Sequence, residues 1–301
     1  MTVPIGKAAP APAALPGRLR RVLAGNPSPM TGPGTWTDIV GSGEVAVIDP
    51  GPALEGHLQA VLAALDPGER VAAILVTHAH LDHSALAPAL SRATGAPVLA
   101  FGTATEGRSP AMQRLVEGGL RSGGEGLDLA FTPDRRLADD EIISGPDWSL
   151  RAVHTPGHLG GHLCLAWEDV LFAGDHVMGW APSLVSPPDG DMGAYMASLA
   201  RLARQEWRLM LPTHGDPVAD PAARLAELTA HRRAREAQVA EALRRGPVPL
   251  DAVTAAVYRD LAPALLPAAR RNALAHLIDL AERNQARATP FPGPEALWSC
   301  P

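Results

Sequence analysis

The chain has 301 residues, 46% of them hydrophobic, and a mean hydropathy near zero (+0.01), so it can bury a real core and is not intrinsically disordered. That length suggests one large domain with a small appendage, and a formal charge of −6 argues against a general nucleic-acid binder. Lys7 is the only lysine, a compositional bias toward arginine, and the two cysteines, Cys164 and Cys300, make no spaced pattern and fit a reducing compartment.

Residues 1–18 are rich in Ala and Pro and read as a flexible N-terminus. Prolines interrupt every apolar run that a signal peptide would need after Lys7, Arg18, Arg20 and Arg21. No segment approaches the roughly 20 apolar residues of a membrane span, so a cytoplasmic protein without membrane contact is expected. Residues 19–23 read as a first strand, followed by a Gly/Pro-rich loop over 26–34. A strand over 44–49 stops at the abrupt turn Asp49-Pro50-Gly51-Pro52, and a helix over 57–65 stops at Asp66-Pro67-Gly68. The apolar run 71–76 has no helical period and reads as a buried strand.

Directly after that run comes His78-Ala79-His80-Leu81-Asp82-His83, and then a helix predicted over 84–93. His78 and His80, two apart on extended backbone, project the same way. Asp82 and His83 lie where the helix begins and project elsewhere, so one turn can serve two adjacent ions. Further on, 97–101 reads as a short strand and the glycine-rich stretch 117–126 as a mobile surface loop. Strands are predicted over 141–144, 148–154, 162–167, 169–173 and 209–212, with an amphipathic helix over 193–205. The alternation indicates α/β layers. Three strand ends carry His158, Asp175 and His214, where α/β sheets gather their sites. Isolated histidines are usually surface or core side chains, and His57, His231 and His276 are assigned to that class.

The run His-x-His-x-Asp-His, followed by a single His, Asp and His at later strand ends, resembles the metallo-β-lactamase fold hydrolases. The resemblance covers roughly residues 20–220, including Val47-Ile48-Asp49-Pro50-Gly51 and Gly160-Gly161-His162. It implies a catalytic domain over 19–220 folded as a four-layer αββα sandwich, with two divalent ions at one edge. Carried over, His78, His80 and His158 would hold the first ion, and Asp82, His83 and His214 the second, with Asp175 bridging. The chemistry agrees: three neutral imidazoles and an open position make a catalytic zinc site. Two ions about 3.5–4 Å apart share a water and lower its pKa toward ~7. Two divalent ions, two aspartates and a hydroxide sum to about +1, which favours anionic substrates or oxyanionic transition states. Asp82 and Asp175 are the candidate catalytic groups, orienting the nucleophile and passing a proton to the leaving group. Zn2+ is the expected metal, and a second site with two Asp ligands would also accept Fe or Mn.

Around this set, Asp49, His154, His162 and His176 are either orienting groups for the ligands or packing residues. Trp36, Met178 and Trp180 either line a substrate pocket or form the base of their loops. Asp175 stands where true β-lactamases of this fold commonly have Cys or no acidic bridge, so antibiotic hydrolysis is not implied. The interval from Asp175 to His214 is too short for the extra domain of the nucleic-acid-processing branch. Trp36 replaces an Asn common among relatives.

From 221 to 301 the pattern changes to helices over 222–245, 250–261 and 267–287 and a Pro-rich tail with Trp298. This resembles the winged-helix appendage of a glyoxalase II-like subgroup. That subgroup includes β-lactamase-like proteins that cut single-stranded RNA and fungal thioesterases that release polyketides. Arg232, Arg233, Arg235, Arg244, Arg245, Arg270 and Arg271 either bind phosphates or, more commonly, form a solvated helix face. The expectation is a dinuclear metal hydrolase of a thioester or ester, acting on a small-molecule or carrier-bound acyl group. A single-strand endoribonuclease is the alternative, and a DNA-binding sensor built on the winged helix is the alternative of another class. The seven intact ligands argue against the sensor. The 117–126 loop and the C-terminal helices are the candidate oligomer contacts.

Overall fold

Strands buried on both faces must send alternate side chains into two different cores, and the sequence between 36 and 100 does so. The computed structural model describes residues 18–122, 126–244 and 246–301. The N-terminal stretch 1–17, the segment 123–125 of the predicted loop and Arg245 lie outside the described residues. The first sheet contains β1 (Leu19–Leu23), β2 (Trp36–Val40), β3 (Glu44–Ile48), β4 (Arg70–Leu75), β5 (Val98–Ala100) and β6 (Arg135–Arg136), in that spatial order. Its first three strands pair antiparallel and the rest parallel. The second sheet contains β7 (Ile142–Ser144), β8 (Ser149–His154), β9 (Leu163–Trp167), β10 (Val170–Gly174) and β11 (Leu209–Pro212), with only β10 and β11 parallel.

Val40, Ala46, Ile48 and Leu75 point inward and meet Leu150, Leu163, Leu165, Phe172 and Leu211 of the second sheet. Their neighbours Ile39, Val45, Val47 and Ile74 point outward, against Val61 of α1 (Glu55–Ala63) and Leu90 of α3 (Ala87–Thr94), which follows the single turn α2 (Leu81–Ser84). On the far side, Val153, Ala166 and Leu171 pack against Tyr195 and Leu199 of α5 (Met192–Leu202) and against Leu225 and Leu228 of α6 (Pro221–Leu243). Helices, sheet, sheet, helices: this is the expected αββα sandwich. Each buried Leu, Ile or Phe contributes on the order of 1.5–3 kcal/mol.

The structure departs from the sequence reading in four places. The helix expected over 84–93 is two pieces, because Pro88 belongs in the first turn of a helix, where its missing N–H costs nothing. An unpredicted α4 (Pro110–Glu117) starts with Pro110, and Ser109 caps it by accepting from the Met112 N–H at 3.3 Å. Its Met112 and Leu115, with Leu120 beyond it, are buried in the C-terminal core, so the predicted surface loop is anchored at Leu120 while Glu117, Gly118, Gly119 and Arg121 stay exposed. The tail is also ordered into that core. After α7 (Leu250–Val257) and α8 (Leu266–Glu282), the strands β13 (Arg287–Thr289) and β14 (Leu297–Ser299) join β12 (Val248–Pro249) in a small antiparallel sheet ordered β12-β14-β13. Trp298 is fully buried among Val239, Leu250, Leu274 and Leu277.

The 23-residue helix α6 belongs to both cores, with Leu225 and Leu228 in one and Val239 and Leu243 in the other. Cys164 is buried and Cys300 exposed, both as free thiols. No helix among the described residues is long and apolar enough to cross a membrane. Because Trp298 is wholly enclosed, Trp298→Ala should destabilise the C-terminal core by about 3–5 kcal/mol. A urea titration followed by far-UV circular dichroism reads this, and an unchanged midpoint would mean that the tail merely lies on the surface.

Candidate metal centre

Every strand that ends at one edge of the sandwich delivers a polar side chain there. β3 ends at Asp49, β4 leads through Thr77 to His78, β8 to His158, β10 to Asp175 and β11 to Thr213 and His214. Backbone bonds tie this edge together, across the sheets from Leu163 N–H to Thr77 O (2.8 Å) and Trp36 N–H to Thr213 O (2.8 Å), and within the second sheet from Thr213 N–H to Gly174 O (3.1 Å).

Two sets of ligand atoms converge. His78 Nε2 lies 2.8 Å and His158 Nε2 3.1 Å from His80 Nδ1. Beside them, His214 Nε2 is 3.2 Å and His83 Nε2 3.7 Å from Asp82 Oδ2. Asp175 sits between the sets, its Oδ2 3.7 Å from His158 Nε2 and 3.5 Å from His83 Nε2, its Oδ1 3.4 Å from His214 Nε2. The seven side chains predicted as ligands are therefore together. The groups His78/His80/His158, His78/His83/Asp175 and Asp82/His83/His214 each fit one ion, with all donor atoms within 4.8 Å of one another.

The rings are oriented from behind. A carbonyl only accepts, so His158 donates Nδ1–H to Leu184 O (2.7 Å) and His214 donates Nδ1–H to Gly34 O (3.1 Å). His83 donates its Nδ1–H to Asp49 Oδ2 at 2.9 Å. The Thr77 hydroxyl gives its proton to Asp49 Oδ2 (2.8 Å) and so accepts from His78 Nδ1–H (3.0 Å). In each of the four rings, Nε2 is left facing the centre with its lone pair available. Tetrahedral zinc with bonds of about 2.0–2.1 Å separates its nitrogens by about 3.3 Å, close to what the first set shows. His83 Nε2 and Asp175 Oδ1 are buried without a hydrogen-bond partner. Converging lone pairs and orphaned buried acceptors are what a shared cation satisfies, so the residues fit divalent metal binding.

The two halves differ electrostatically. Burial, reinforced by neighbouring imidazoles, pushes His78 well below the usual imidazole range, His80 down to about 3 and His158 down as well, which keeps them in the neutral, ligating form. Burial acts the same way on His83 and His214, but Asp175 and Asp82 outweigh it, raising His83 strongly and His214 to about 10. Burial opposes the charge on both carboxylates, yet the facing imidazoles hold Asp82 down to about 2 and Asp175 well below the usual carboxylate range. One half offers neutral nitrogen; the other demands positive charge, from protons or from a divalent ion that displaces them.

Of the two roles left open for Asp49, its contacts are those of an orienting group. It also accepts from the Thr77 N–H at 2.8 Å and the Thr213 hydroxyl at 2.9 Å. His162 positions Asp175: its Nε2 accepts from the Asp175 N–H (3.3 Å), and its Nδ1 pairs with the Thr155 hydroxyl (2.9 Å). Gly174 permits this, with φ of +51° and no room for a Cβ, which would lie 2.5 Å from His162 Nε2. His176 packs, with both ring nitrogens unpartnered and its ring 4.6 Å from that of Tyr195. His154 stacks on Phe101 at 4.1 Å and bonds Gly160 O. Trp36 latches the His214 loop through its indole N–H to Gly215 O at 3.0 Å. Trp180, half exposed, covers Gly215, while Met178 is buried; both line a cleft of about 320 Å3. Thr77, Thr213 and Leu184 escaped the sequence reading, the first two although each precedes a ligand directly.

Residues 30–216 match the metallo-beta-lactamase superfamily, and residues 250–291 match a beta-lactamase associated winged helix domain. The chain is similar to the lactamase-like protein aptB of Emericella nidulans, 30% identical over 226 residues, which cover 74% of this chain and 64% of that protein. It is also similar to the atrochrysone carboxyl ACP thioesterase of Aspergillus chevalieri, 33% identical over 236 residues, which cover 75% and 66%. The chain thus spans just under two-thirds of these relatives' length. In structure it is similar to a beta-lactamase domain protein from Burkholderia ambifaria, with a TM-score of 0.78 at 23% identity, covering 96% of this chain and 93% of that one. This last likeness speaks to the fold.

Asp49→Asn keeps the size of the side chain and removes the charge that holds His83 and the Thr77 hydroxyl. Metal affinity should fall about 10–100-fold, read by competitive titration against a chromophoric chelator. An unchanged affinity in a folded variant would remove Asp49 from the support of the ligands.

Proposed function

The chain belongs to the metallo-beta-lactamase superfamily, and on that premise we propose that it is a dinuclear metal-dependent hydrolase of thioesters or esters. Its substrate in this reading is a small-molecule or carrier-bound acyl compound. The observation that carries it is the convergence of His78, His80 and His158 beside Asp82, His83 and His214, with Asp175 between them and an apolar cleft adjoining. Residues 19–220 form the catalytic part and 221–301 the winged-helix part that walls the cleft.

His78, His80 and His158 would hold one ion, and Asp82, His83 and His214 the other, with Asp175 shared. Zinc suits this nitrogen-rich set, and the carboxylates would also suit iron or manganese. Bound there, the ions supply a water of lowered pKa and a Lewis acid for the acyl oxygen. The protein's own groups do the rest. Asp175, fixed through its N–H by His162, sets the separation of the two halves. The Asp82 side chain is 27% exposed against 10% for Asp175, so Asp82 is the carboxylate placed to exchange a proton with solvent and return it to the leaving thiolate or alkoxide.

Thioester cleavage is favoured over RNA cleavage on two grounds. A relative of 33% identity is named an acyl-carrier-protein thioesterase. In addition, Arg244 and Arg270, which a polynucleotide would need free, pair with Glu241 (3.3 Å) and Asp251 (2.6 Å). The free thiols fit a cytoplasmic setting. On a panel of acyl thioesters, EDTA should abolish turnover and added Zn2+ restore it. Asp175→Ala should lower it by about a hundredfold or more. Metal-dependent cutting of a fluorescent single-stranded RNA, with every thioester left intact, would overturn this reading.

A further inference from the structure

The guanidinium of Arg232 is almost fully buried (2% exposed) at the middle of α6, and among the described residues no carboxylate pairs with it. It donates to Ser183 O and to Asn272 Oδ1 and lies 5.1 Å over the Tyr195 ring, while its Nε–H finds no acceptor. A solvated-face reading, the common one for a helix arginine, therefore fails for this residue. Removing a cation from water without an anion is costly, and the neutral partners Ser183 O and Asn272 Oδ1 leave its charge uncompensated.

Arg232 lines the cleft named above, at the junction of the loop after β10, the middle of α6 and the start of α8. A second guanidinium, Arg235, lines the same cleft. It bonds Val257 O and Gln238 Oε1, lies 4.7 Å over Tyr258, and likewise has no carboxylate partner among the described residues. His231, on the same wall, has a buried Nδ1 without a partner. Acidic residues outnumber basic ones in the chain, 32 to 26, yet the cleft lining contains two arginines and no Asp or Glu. Its other walls are apolar, including Met30, Trp180 and Leu265. Two contacts link the cleft lining to the metal centre: the Leu184 carbonyl accepts the His158 Nδ1–H, and Trp180 covers Gly215, next to His214.

We propose that this cleft binds an anionic oxygen group, a carboxylate or a phosphate, at the end of the substrate remote from the scissile bond, with Arg232 and Arg235 as its counter-charges. A volume of about 320 Å3 holds an acyl chain or a pantetheine arm and not a polymer, at the low end of ligand pockets. The class of molecule rests on the thioester reading; the anion preference rests on the cleft alone. The anion comes either from the acyl group, as a distal carboxylate, or from the carrier, as the phosphate of a phosphopantetheine arm.

Thioethers test this without turnover. Binding of S-butyl-pantetheine, S-butyl-phosphopantetheine and S-(3-carboxypropyl)pantetheine to the full-length, metal-loaded protein would be measured by isothermal titration calorimetry. One anionic probe should bind at least about tenfold tighter than the neutral one, as a charge-assisted bidentate contact supplies. Tightening by phosphate assigns the cleft to the carrier arm; tightening by carboxylate assigns it to the acyl group. Arg232→Gln and, because that residue is buried, independently the more open Arg235→Gln should each remove most of the preference at unchanged metal content. Equal affinity for all three probes, or a preference that survives both variants, would overturn the proposal. Anion-selective binding by a protein that hydrolyses no thioester would sink the thioesterase reading and leave the cleft assignment standing.

Discussion

The carboxylate of Asp49 is the interaction on which the edge of this sandwich depends. It stands at the end of β3 in the left-handed region (φ +48°), a conformation aspartate tolerates better than most residues. There it accepts from the Thr77 backbone and hydroxyl, from His83 and from the Thr213 hydroxyl. One buried anion thereby joins the ends of β3 and β4 in one sheet to that of β11 in the other, and fixes the rings of His78 and His83 at the same time. Hydrogen bonds to a charged acceptor in a dry environment are individually strong. The precision of a site assembled from five strand ends follows from that shared acceptor.

The sandwich makes such an edge possible. Two sheets with apolar residues on both faces need helices outside them, and the four layers leave only the strand ends free to carry polar groups. Buried histidines and aspartates are expensive anywhere else. Here the cost is offset because His78, His83, His158 and His214 donate their rear N–H to a carbonyl, a hydroxyl or Asp49, and because neutral nitrogens and carboxylates face one another across a space that suits cations. The electrostatic asymmetry between the nitrogen-only half and the carboxylate half follows from what each ring faces: burial and His158 drive His80 down, while Asp82 and Asp175 drive His83 up against its burial.

The C-terminal part is joined to the rest by packing and not by a linker. α6 crosses from the second sheet's core into the C-terminal core, α4 contributes Met112 and Leu115 to the latter, and Arg114 pairs with Glu282 at 2.7 Å. These contacts hold α6 and α8 against the loop after β10 and so create the cleft beside the metal centre. The winged-helix part thereby becomes a wall of the proposed substrate site, whatever else it does.

The sequence by itself determined α/β layers, from the alternation of strand-length apolar runs with helical stretches, and placed His and Asp at the strand ends; the four-layer sandwich and the seven-ligand set came with the resemblance that His-x-His-x-Asp-His carries. Asp49 was legible as a strand end at an abrupt turn, with its orienting role as one of two readings. What escaped depended on partners distant in the chain. α4 and the strands around Trp298 have weak local signals and are stabilised by one another's burial. The role of His162, the idleness of His176 and the isolation of Arg232 are set by what stands within hydrogen-bond reach, up to 49 positions away in the case of Ser183 and Arg232. Residue type and spacing encode which groups can ligate or carry charge; only the tertiary contacts decide which of them are satisfied, which converge and which merely pack.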